Sequence, residues 1–252
     1  MKRALVQHSG RPIWAEVREA DSILLLPGGE MIAFDDTAWL PPTTQGATIF
    51  ALGLNYADHV KELGFKAKEP PLIFLKGPNT LIGHRQETPR PADANQMHPE
   101  CELVAVIGRP ARRVRAEDAL DHVAGYTVAN DYAIREYLEN YYRPNLRVKN
   151  RDATTPLGPW LVDAADIADP QALDLTTRVN GCIVQAGSTA DMILGVADLI
   201  AYLSETMTLL PGDMILTGTP KGVHFCNVGD VVECEIASVG RLVNRIVADP
   251  AA

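Results

Sequence analysis

Two glutamates lie two residues apart at the start of an apolar segment. Glu100 and Glu102 are followed by residues 103–107, whose β-branched and apolar side chains predict a buried strand. Side chains alternate along a strand, so His98, Glu100 and Glu102 project from the same face. Two neighbouring carboxylates that lose their hydration repel each other, so one takes up a proton or a cation lies between them. This oxygen pair suits Mg²⁺, Mn²⁺ or Ca²⁺, and a strand end with two solvated glutamates is the alternative.

A third acidic residue follows another apolar segment. Asp131 comes after residues 123–129, which predict a strand that ends at Asn130. Its carboxylate could complete a metal site together with the two glutamates. It could also be the N-cap of a helix that the sequence predicts over residues 132–140. The residues around Asp131 fit both roles equally.

A histidine and a glutamate occur together in a short predicted helix. Residues 55–64 have a helical pattern that ends at Gly64. His59 and Glu62 are three residues apart, so on a helix they share one face and can hydrogen-bond. A glutamate that holds a histidine raises the pKa of the imidazole and fixes its tautomer, as a general acid or base requires. An exposed polar pair is the alternative, and it is the commoner arrangement in general.

Basic residues concentrate after Asp131 in a chain whose formal net charge is -9. Such a local cluster in an acidic protein favours a small polyanionic substrate over a nucleic acid. A glycine-rich loop at residues 216–222 offers hydroxyl and backbone N–H groups that could bind a carboxylate or a phosphate. The loop lacks the spacing of a P-loop. The clustered basic residues are Arg135, Arg143, Arg147, Lys149 and Arg151.

The rest of the pattern describes a mainly β protein with some α-helix and two regions. Residues 1–45 contain short apolar runs separated by glycine and proline, which predicts a small β-rich N-terminal domain. Residues 46–252 form the predicted catalytic domain. Within it, Asn180 and Gly181 predict a β-hairpin with a type I′ turn, and residues 191–207 predict an amphipathic helix.

The composition excludes several classes of protein. Hydrophobic residues make up 46% of the chain and charged residues 22%, which is ordinary for a globular protein. The acidic balance argues against nucleic acid and anionic membranes as partners. No apolar run reaches the roughly 18 residues of a membrane span, and the N-terminus lacks the apolar region of a signal peptide, so we expect a cytoplasmic protein. The four cysteines show no paired spacing that would indicate a zinc site or a disulfide framework.

Five segments, taken in order, resemble the fumarylacetoacetate hydrolase family from about residue 50 to residue 247. They are residues 53–59, 74–80, 98–103, 124–131 and 216–223. The resemblance implies a mixed β-roll or β-sandwich for this region, and the small β-rich N-terminal domain predicted above would precede it. The related proteins often carry a second homologous half in that place, so this chain departs from the family pattern there. It also implies an active site that depends on Mg²⁺ (or Mn²⁺) and opens at the mouth of the roll.

The resemblance also implies roles for individual side chains. The metal carboxylates would be Glu100, Glu102 and Asp131. The catalytic residues would be His59 and Glu62, on a lid segment that orders over the substrate, and Lys149. The substrate contacts would be Thr219, Gly218 and Lys76. Charge alone adds Arg143 or Arg147 as the partner of a distal substrate carboxylate.

Within the family, residues 133–149 and 240–247 are similar to the isomerases/decarboxylases of homoprotocatechuate (4-hydroxyphenylacetate) catabolism. This likeness implies decarboxylation of 5-oxopent-3-ene-1,2,5-tricarboxylate, isomerisation of 2-hydroxyhepta-2,4-diene-1,7-dioate, or both. Hydrolysis of a C–C bond in an acylpyruvate or fumarylpyruvate, and decarboxylation of oxaloacetate, are alternatives within the family. A catalytically silent relative that binds a metal or ligand is a further alternative. The substrate would be a small 2-oxo di- or tricarboxylate. The expected assembly is a homodimer, and an assembly with a homologous sister subunit is the alternative.

Overall fold

The computed structural model describes residues 1–63, 71–138 and 145–250. Strands predominate in this part of the chain, as the sequence predicts. The strands are β1 (Lys2–His8), β2 (Arg11–Arg18), β3 (Ile23–Leu25), β4 (Met31–Ala33), β5 (Ala38–Leu40), β6 (Ile49–Gly53), β7 (Leu72–Lys76), β8 (Leu81–Ile82), β9 (Glu87–Arg90), β10 (Met97–His98), β11 (Cys101–Ile107), β12 (Val123–Asn130), β13 (Ala133–Ile134), β14 (Thr155–Asp163), β15 (Asp174–Val179), β16 (Cys182–Ser188), β17 (Met214–Leu216), β18 (Val231–Ile236) and β19 (Gly240–Ala248). The α-helices are α1 (Ala57–Glu62), α2 (Ala116–Ala119), α3 (Leu146–Lys149) and α4 (Val196–Thr206). Short 3₁₀ helices are formed by Glu19–Asp21, Phe34–Asp36, Pro78–Thr80, Leu120–His122, Arg135–Tyr137, Ala164–Asp166 and Thr189–Asp191.

Two sheets enclose the main hydrophobic core. The larger has the order β4-β3-β2-β1-β14-β12-β11-β17-β6-β7, with β5 beside β1 and β8 beside β14. The smaller has the order β16-β15-β18-β19-β9. Buried side chains of both sheets belong to one cluster, among them Leu103 and Val128 from the larger sheet and Leu175, Val232 and Leu242 from the smaller. This mainly β, two-sheet arrangement confirms the predicted fold class.

Strand β11 lies in the interior of the larger sheet, between β12 and β17. All seven of its residues are buried, because the sheet is covered on both faces there. The ladder between β11 and β12 is antiparallel and pairs Cys101 with Asn130 and Glu102 with Ala129. The beginning of β11 therefore lies beside the end of β12.

The strands of residues 1–45 extend the larger sheet. Strand β1 pairs with β14 through Lys2 opposite Val162, and the indole of Trp39 lies 6.4 Å from that of Trp160 between ring centroids. Trp39 is 2% exposed, so this contact belongs to the core. We keep the division of the chain near residue 45 as a proposal, since the two regions share one sheet.

The helix predicted for residues 132–140 is wrong over the described residues 132–138. Ala133–Ile134 form strand β13, which pairs with Met97–His98 of β10, and a 3₁₀ turn at Arg135–Tyr137 follows. Residues 133–134 form a strand because β10 lies beside them and offers backbone hydrogen bonds. A pattern of local helical preference contains no information about such a partner. Asp131 is therefore followed by a strand and not by a helix to cap.

Helix α4 begins at Val196, five residues later than the pattern predicts. The side chain of Asn55 accepts a hydrogen bond from the Leu194 N–H at 3.0 Å and donates one to the Leu194 carbonyl at 3.0 Å. These contacts hold the backbone before Val196 in a non-helical conformation. Ile193 is 43% exposed and lies outside the buried face of the helix.

Two further features concern the turn and the helices. The β15–β16 hairpin turns at Asn180 and Gly181, whose φ values of 50° and 80° confirm the predicted type I′ turn. Helix α4 has eleven residues, and no helix in the described ranges has the length and apolar character needed to cross a membrane.

Candidate metal centre and active site

Three buried carboxylates meet where β11 begins and β12 ends. The Asp131 N–H donates to the Glu100 carbonyl at 2.9 Å, which holds the two backbones together beyond the ladder. Glu100, Glu102 and Asp131 each offer an oxygen, and these atoms lie within 4.8 Å of one another. The sequence therefore predicted the members of a cluster that the antiparallel pairing assembles.

The environment of Glu102 fits a cation ligand. Its Oε2 accepts a hydrogen bond from the Gly218 N–H at 2.7 Å, whereas its buried Oε1 has no hydrogen-bond partner among the described residues. Burial, and then repulsion by Asp131 and Glu100, raises the pKa of Glu102 well above its usual value. A bound divalent ion would remove that cost, and an oxygen-only ligand set matches Mg²⁺ or Mn²⁺.

Two lysines already neutralise part of the cluster. Lys149 Nζ donates to Glu100 Oε2 at 2.6 Å and to Asp131 Oδ2 at 2.9 Å, and Lys76 Nζ donates to Asp131 Oδ1 at 2.5 Å. Burial alone would lower the pKa of Lys149, but Asp131 and Glu100 raise it. When all three carboxylates are ionised, the two ammonium groups leave one net negative charge, which favours a cation.

The predicted pair of His59 and Glu62 is formed on α1. His59 is buried, and its Nδ1 lies 3.1 Å from Glu62 Oε2. The Glu62 carboxylate also accepts hydrogen bonds from the backbone N–H groups of Gly222 at 3.1 Å and Val223 at 3.3 Å. Burial would raise the pKa of Glu62, but the N–H groups of Gly222 and Val223 and the His59 ring lower it. The glycine-rich loop thus holds Glu62 as a carboxylate behind His59.

The same loop presents Thr219 to the site. Thr219 is 3% exposed, and its Oγ1 has no hydrogen-bond partner among the described residues. Gly218 has a φ of +89°, and a Cβ at that position would lie 3.0 Å from the Cβ of Asn55. The Asn55 amide donates to the Thr217 carbonyl at 2.8 Å. The backbone turn that aims Gly218 at Glu102 therefore requires glycine and is supported by Asn55.

These groups open onto one cleft. The polar side chains that line it come from α1, the residue before β11, the turn after β13, the beginning and end of α3 and the glycine-rich loop, and they are His59, Glu100, Arg135, Asn145, Lys149 and Thr219. Apolar side chains form much of the remaining wall, and they are Leu52, Leu54, Leu63, Leu72, Phe74, Leu138 and Val148. Glu100 is the member of the carboxylate cluster that lines this cleft among the described residues, so a charged ligand head can bind beside it and Lys149 while the rest of the ligand contacts an apolar wall.

Arg135 is a cleft residue that the sequence did not single out from the other basic residues. Its Nε donates to His98 Nε2 at 2.9 Å, and His98 Nδ1 lies 3.3 Å from the Pro99 carbonyl oxygen. Burial lowers the pKa of His98 to about 4. The pairing of β10 with β13 brings Arg135 next to His98. The sequence could have predicted this contact only through a pattern that indicates the pairing of these two strands.

Three predicted substrate contacts, Gly218, Arg147 and Lys76, are not among the described residues that line the cleft. Arg147 is exposed, and its guanidinium carbon lies 5.0 Å from the centre of the Tyr137 ring. Lys76 is buried and donates to Asp131 and to the Lys149 carbonyl. Arg143 lies outside the described residues. The substrate roles of Gly218, Arg147, Lys76 and Arg143 stay predictions.

The site can be compared with proteins of known sequence and structure. Residues 48–247 match the family described as fumarylacetoacetate (FAA) hydrolase C-terminal. The chain is 62% identical over 205 residues to a homoprotocatechuate catabolism bifunctional isomerase/decarboxylase of Escherichia coli, a match that covers 81% of this chain and 48% of that protein. The chain spans about half the length of the curated relatives it matches most strongly.

Solved structures give the same result over nearly the whole chain. The 5-carboxymethyl-2-hydroxymuconate delta-isomerase from Mycobacterium smegmatis superposes with a TM-score of 0.86 at 35% identity and covers 99% of both chains. A fumarylpyruvate hydrolase from Pseudomonas aeruginosa, solved with Mn²⁺ and pyruvate, has a TM-score of 0.77 at 31% identity and covers 83% of this chain and 96% of its own. The predicted resemblance is confirmed, and the chain belongs to the fumarylacetoacetate hydrolase family.

Proposed function

We propose that this chain is a divalent-metal-dependent isomerase/decarboxylase of homoprotocatechuate catabolism. Its substrates would be 5-oxopent-3-ene-1,2,5-tricarboxylate for decarboxylation, 2-hydroxyhepta-2,4-diene-1,7-dioate for isomerisation, or both. The observation that carries the proposal is the buried cluster of Glu100, Glu102 and Asp131, whose ligand atoms lie within 4.8 Å of one another beside the cleft. The identity to the bifunctional enzyme of Escherichia coli supports the choice of substrates.

Mg²⁺ is the metal we propose, with Mn²⁺ as the alternative. Glu100, Glu102 and Asp131 would hold the ion, and the Oε1 of Glu102, which no described residue hydrogen-bonds, supports this assignment. When bound, the ion would supply Lewis acidity that stabilises negative charge on the carboxylate and keto oxygens of a 2-oxo acid.

His59 would move the proton. Its Nδ1 faces Glu62 at 3.1 Å, which leaves Nε2 as the nitrogen that can exchange a proton with a ligand in the cleft. In the tricarboxylate, the leaving carboxylate belongs to a vinylogous β-keto acid, so loss of CO₂ moves an electron pair through the alkene toward the ketone. The His59 imidazolium would donate a proton to the far carbon of the resulting dienolate, which completes the reaction. The neutral ring, oriented by Glu62, would then regain a proton from water.

The other polar groups of the cleft would bind and orient the substrate. The Lys149 ammonium lies at the cleft wall beside Glu100 and would offset negative charge that develops on the substrate oxygens. The hydroxyl of Thr219, which makes no hydrogen bond within the described part of the chain, would contact the substrate carboxylate. Arg135 would pair with a second anionic group, since its terminal nitrogens donate to no described residue. Arg143 or Arg147 would hold the distal carboxylate.

Hydrolysis of a C–C bond in an acylpyruvate is the second candidate. The pairing of His59 with Glu62 could activate a water molecule as well as transfer a proton to carbon. The structural similarity to a fumarylpyruvate hydrolase favours this alternative over oxaloacetate decarboxylation. A silent metal- or ligand-binding relative is the remaining possibility.

Steady-state assays of the full chain test the proposal. The protein is stripped of metal, reloaded with Mg²⁺ or Mn²⁺, and offered the tricarboxylate, the dienedioate, an acylpyruvate and oxaloacetate. We expect metal-dependent turnover of the first two substrates, and we expect Glu100→Gln to abolish it while Glu117→Gln on the exposed helix α2 has no effect. Turnover of the acylpyruvate alone favours the hydrolase. Metal binding without any turnover favours the silent relative.

The oligomeric state is a further proposal, and the same comparison supports it. Because the chain spans about half of its bifunctional relatives, we propose that it forms a homodimer or pairs with a homologous sister subunit. Light scattering of the purified chain, alone and mixed with a candidate sister subunit, distinguishes these assemblies. A cytoplasmic location stays a prediction.

A further inference from the structure

We infer that His98 is a positioning residue that orients the guanidinium of Arg135 toward the cleft. The contact is a single hydrogen bond of 2.9 Å from Arg135 Nε to His98 Nε2. The substrate role of Arg135 in this inference rests on the proposed function. The role of His98 does not depend on that function, because it concerns only how the imidazole holds the Arg135 side chain.

The hydrogen bond determines the tautomer of His98. Arginine Nε can only donate, so Nε2 of His98 must be the unprotonated acceptor. The other ring nitrogen, Nδ1, lies 3.3 Å from the carbonyl oxygen of Pro99, which can only accept. His98 Nε2 therefore accepts from Arg135 and also lies 3.6 Å from Glu100 Oε1, while Nδ1 faces the Pro99 carbonyl.

The backbone around Arg135 is fixed as well. The Arg135 N–H donates to the Gln96 carbonyl at 3.2 Å, and the ladder of β10 with β13 pairs His98 with Ala133. The Glu136 side chain accepts from the Gln96 N–H at 2.7 Å. These contacts place the Cα of Arg135, but a long arginine side chain still has several rotamers.

His98 removes this remaining freedom. Its ring is 1% exposed, so the acceptor it offers cannot be replaced by bulk water. With Nε engaged, the two terminal nitrogens of Arg135 make no hydrogen bond to a described residue, while the side chain lines the cleft beside Glu100. A preoriented guanidinium can bind a carboxylate or an enolate oxygen through two N–H groups with little loss of entropy on binding.

A double-mutant cycle tests the inference. We expect His98→Leu to raise KM for the substrate, and the Kd of 2-oxoadipate measured by calorimetry on the Mn²⁺-loaded protein, by about tenfold or more, with a smaller change in kcat. His98→Gln keeps an acceptor at a similar reach, so we expect it to restore KM and Kd to within about threefold of the wild-type values. In an Arg135→Ala background, His98→Leu should change neither value by more than about twofold, because its effect passes through Arg135.

The controls separate positioning from folding. Mn²⁺ affinity and the melting temperature report whether the carboxylate cluster and the fold survive, and exposed His224 supplies the matched variant His224→Leu. Equal effects of His98→Leu with and without Arg135 would overturn the inference. So would unchanged KM and Kd in His98→Leu, a folded His98→Gln without recovery, or a loss of Mn²⁺ binding that accounts for the whole effect. If the wild-type protein turns over no substrate, the cycle on 2-oxoadipate binding still tests His98, and the proposed function alone fails.

Discussion

The ammonium nitrogen of Lys149 lies 2.6 Å from Oε2 of Glu100, in a place where both side chains are buried. The same nitrogen contacts Oδ2 of Asp131 at 2.9 Å. One lysine therefore bridges two of the three candidate metal ligands. The negative charge of the three carboxylates would be neutralised partly by the lysines and partly by a bound ion. The first two predictions concern this division.

Lys149→Met should destabilise the metal-free protein. Removing one partner of a buried ion pair typically costs about 3–5 kcal/mol, because the remaining charges lose their compensation. Mn²⁺ should recover more of the melting temperature in the variant than in the wild type, since the ion replaces the missing positive charge. Thermal unfolding with and without Mn²⁺ measures both effects. The surface lysine Lys2, which pairs with Glu19, supplies the control Lys2→Met, and equal behaviour of the two variants would contradict the prediction.

Glu102→Gln should have the opposite effect on the metal-free protein. Burial and the repulsion by Asp131 disfavour the charged form of Glu102, so a neutral amide that keeps the contact with Gly218 should raise the melting temperature. The variant should lose the stabilisation by Mn²⁺, which in the wild type reaches about 2.7 kcal/mol at an ion concentration one hundred times Kd. Melting curves over a Mn²⁺ titration check this, with Glu117→Gln as the control. A variant that is less stable without metal would refute the account.

His84 should make the protein sensitive to acid. Its Nδ1 accepts the Val243 N–H at 3.0 Å, and burial, assisted by Arg85 and Arg241, lowers the pKa of His84 to about 3. The unfolded chain has an ordinary value of about 6.5, so it binds a proton that the folded protein does not. The contribution of His84 to stability is therefore complete above pH 6.5 and is lost as the pH falls toward 3, with a slope of up to about 1.4 kcal/mol per pH unit.

Urea unfolding between pH 7 and pH 4 measures this slope. His84→Asn keeps an acceptor for the Val243 N–H and has no titrating ring, so its stability should depend less on pH than that of the wild type. His224→Asn, at an exposed histidine, should leave the slope unchanged. Parallel curves for the wild type and His84→Asn would show that His84 is not the acid-sensitive group.

Trp39→Ala should destabilise the whole chain and not only residues 1–45. The Trp39 ring contacts Phe34 at 5.4 Å, His84 at 5.0 Å and Trp160 at 6.4 Å between centroids. Truncating such a side chain costs about 3–5 kcal/mol. Because β1 belongs to the larger sheet, near-UV and far-UV circular dichroism should report one coincident transition in the wild type. Two separate transitions would support an independent N-terminal domain, and Met31→Ala at an exposed position is the control.

The pair of glutamates in the carboxylate cluster could be predicted because its signal is local. Glu100 and Glu102 are two positions apart, at the beginning of a buried strand, and extended backbone places such residues on one face. The His59–Glu62 pair was equally readable, since three residues on a helix bring two side chains together. In both cases the periodicity of one element determined the geometry, and no distant part of the chain had to be known.

The sequence by itself determined the family, the mainly β class, the carboxylate pair and the hairpin at Asn180, because each depends on spacing within one segment or on motif order. Only the tertiary structure decided that residues 133–134 form a strand, that Lys76 is buried against Asp131, and that His98 holds Arg135. These contacts join residues that are tens of positions apart. Their free energy depends on which strands pair and on which side chains the paired strands bury. Local spacing carries no information about that choice.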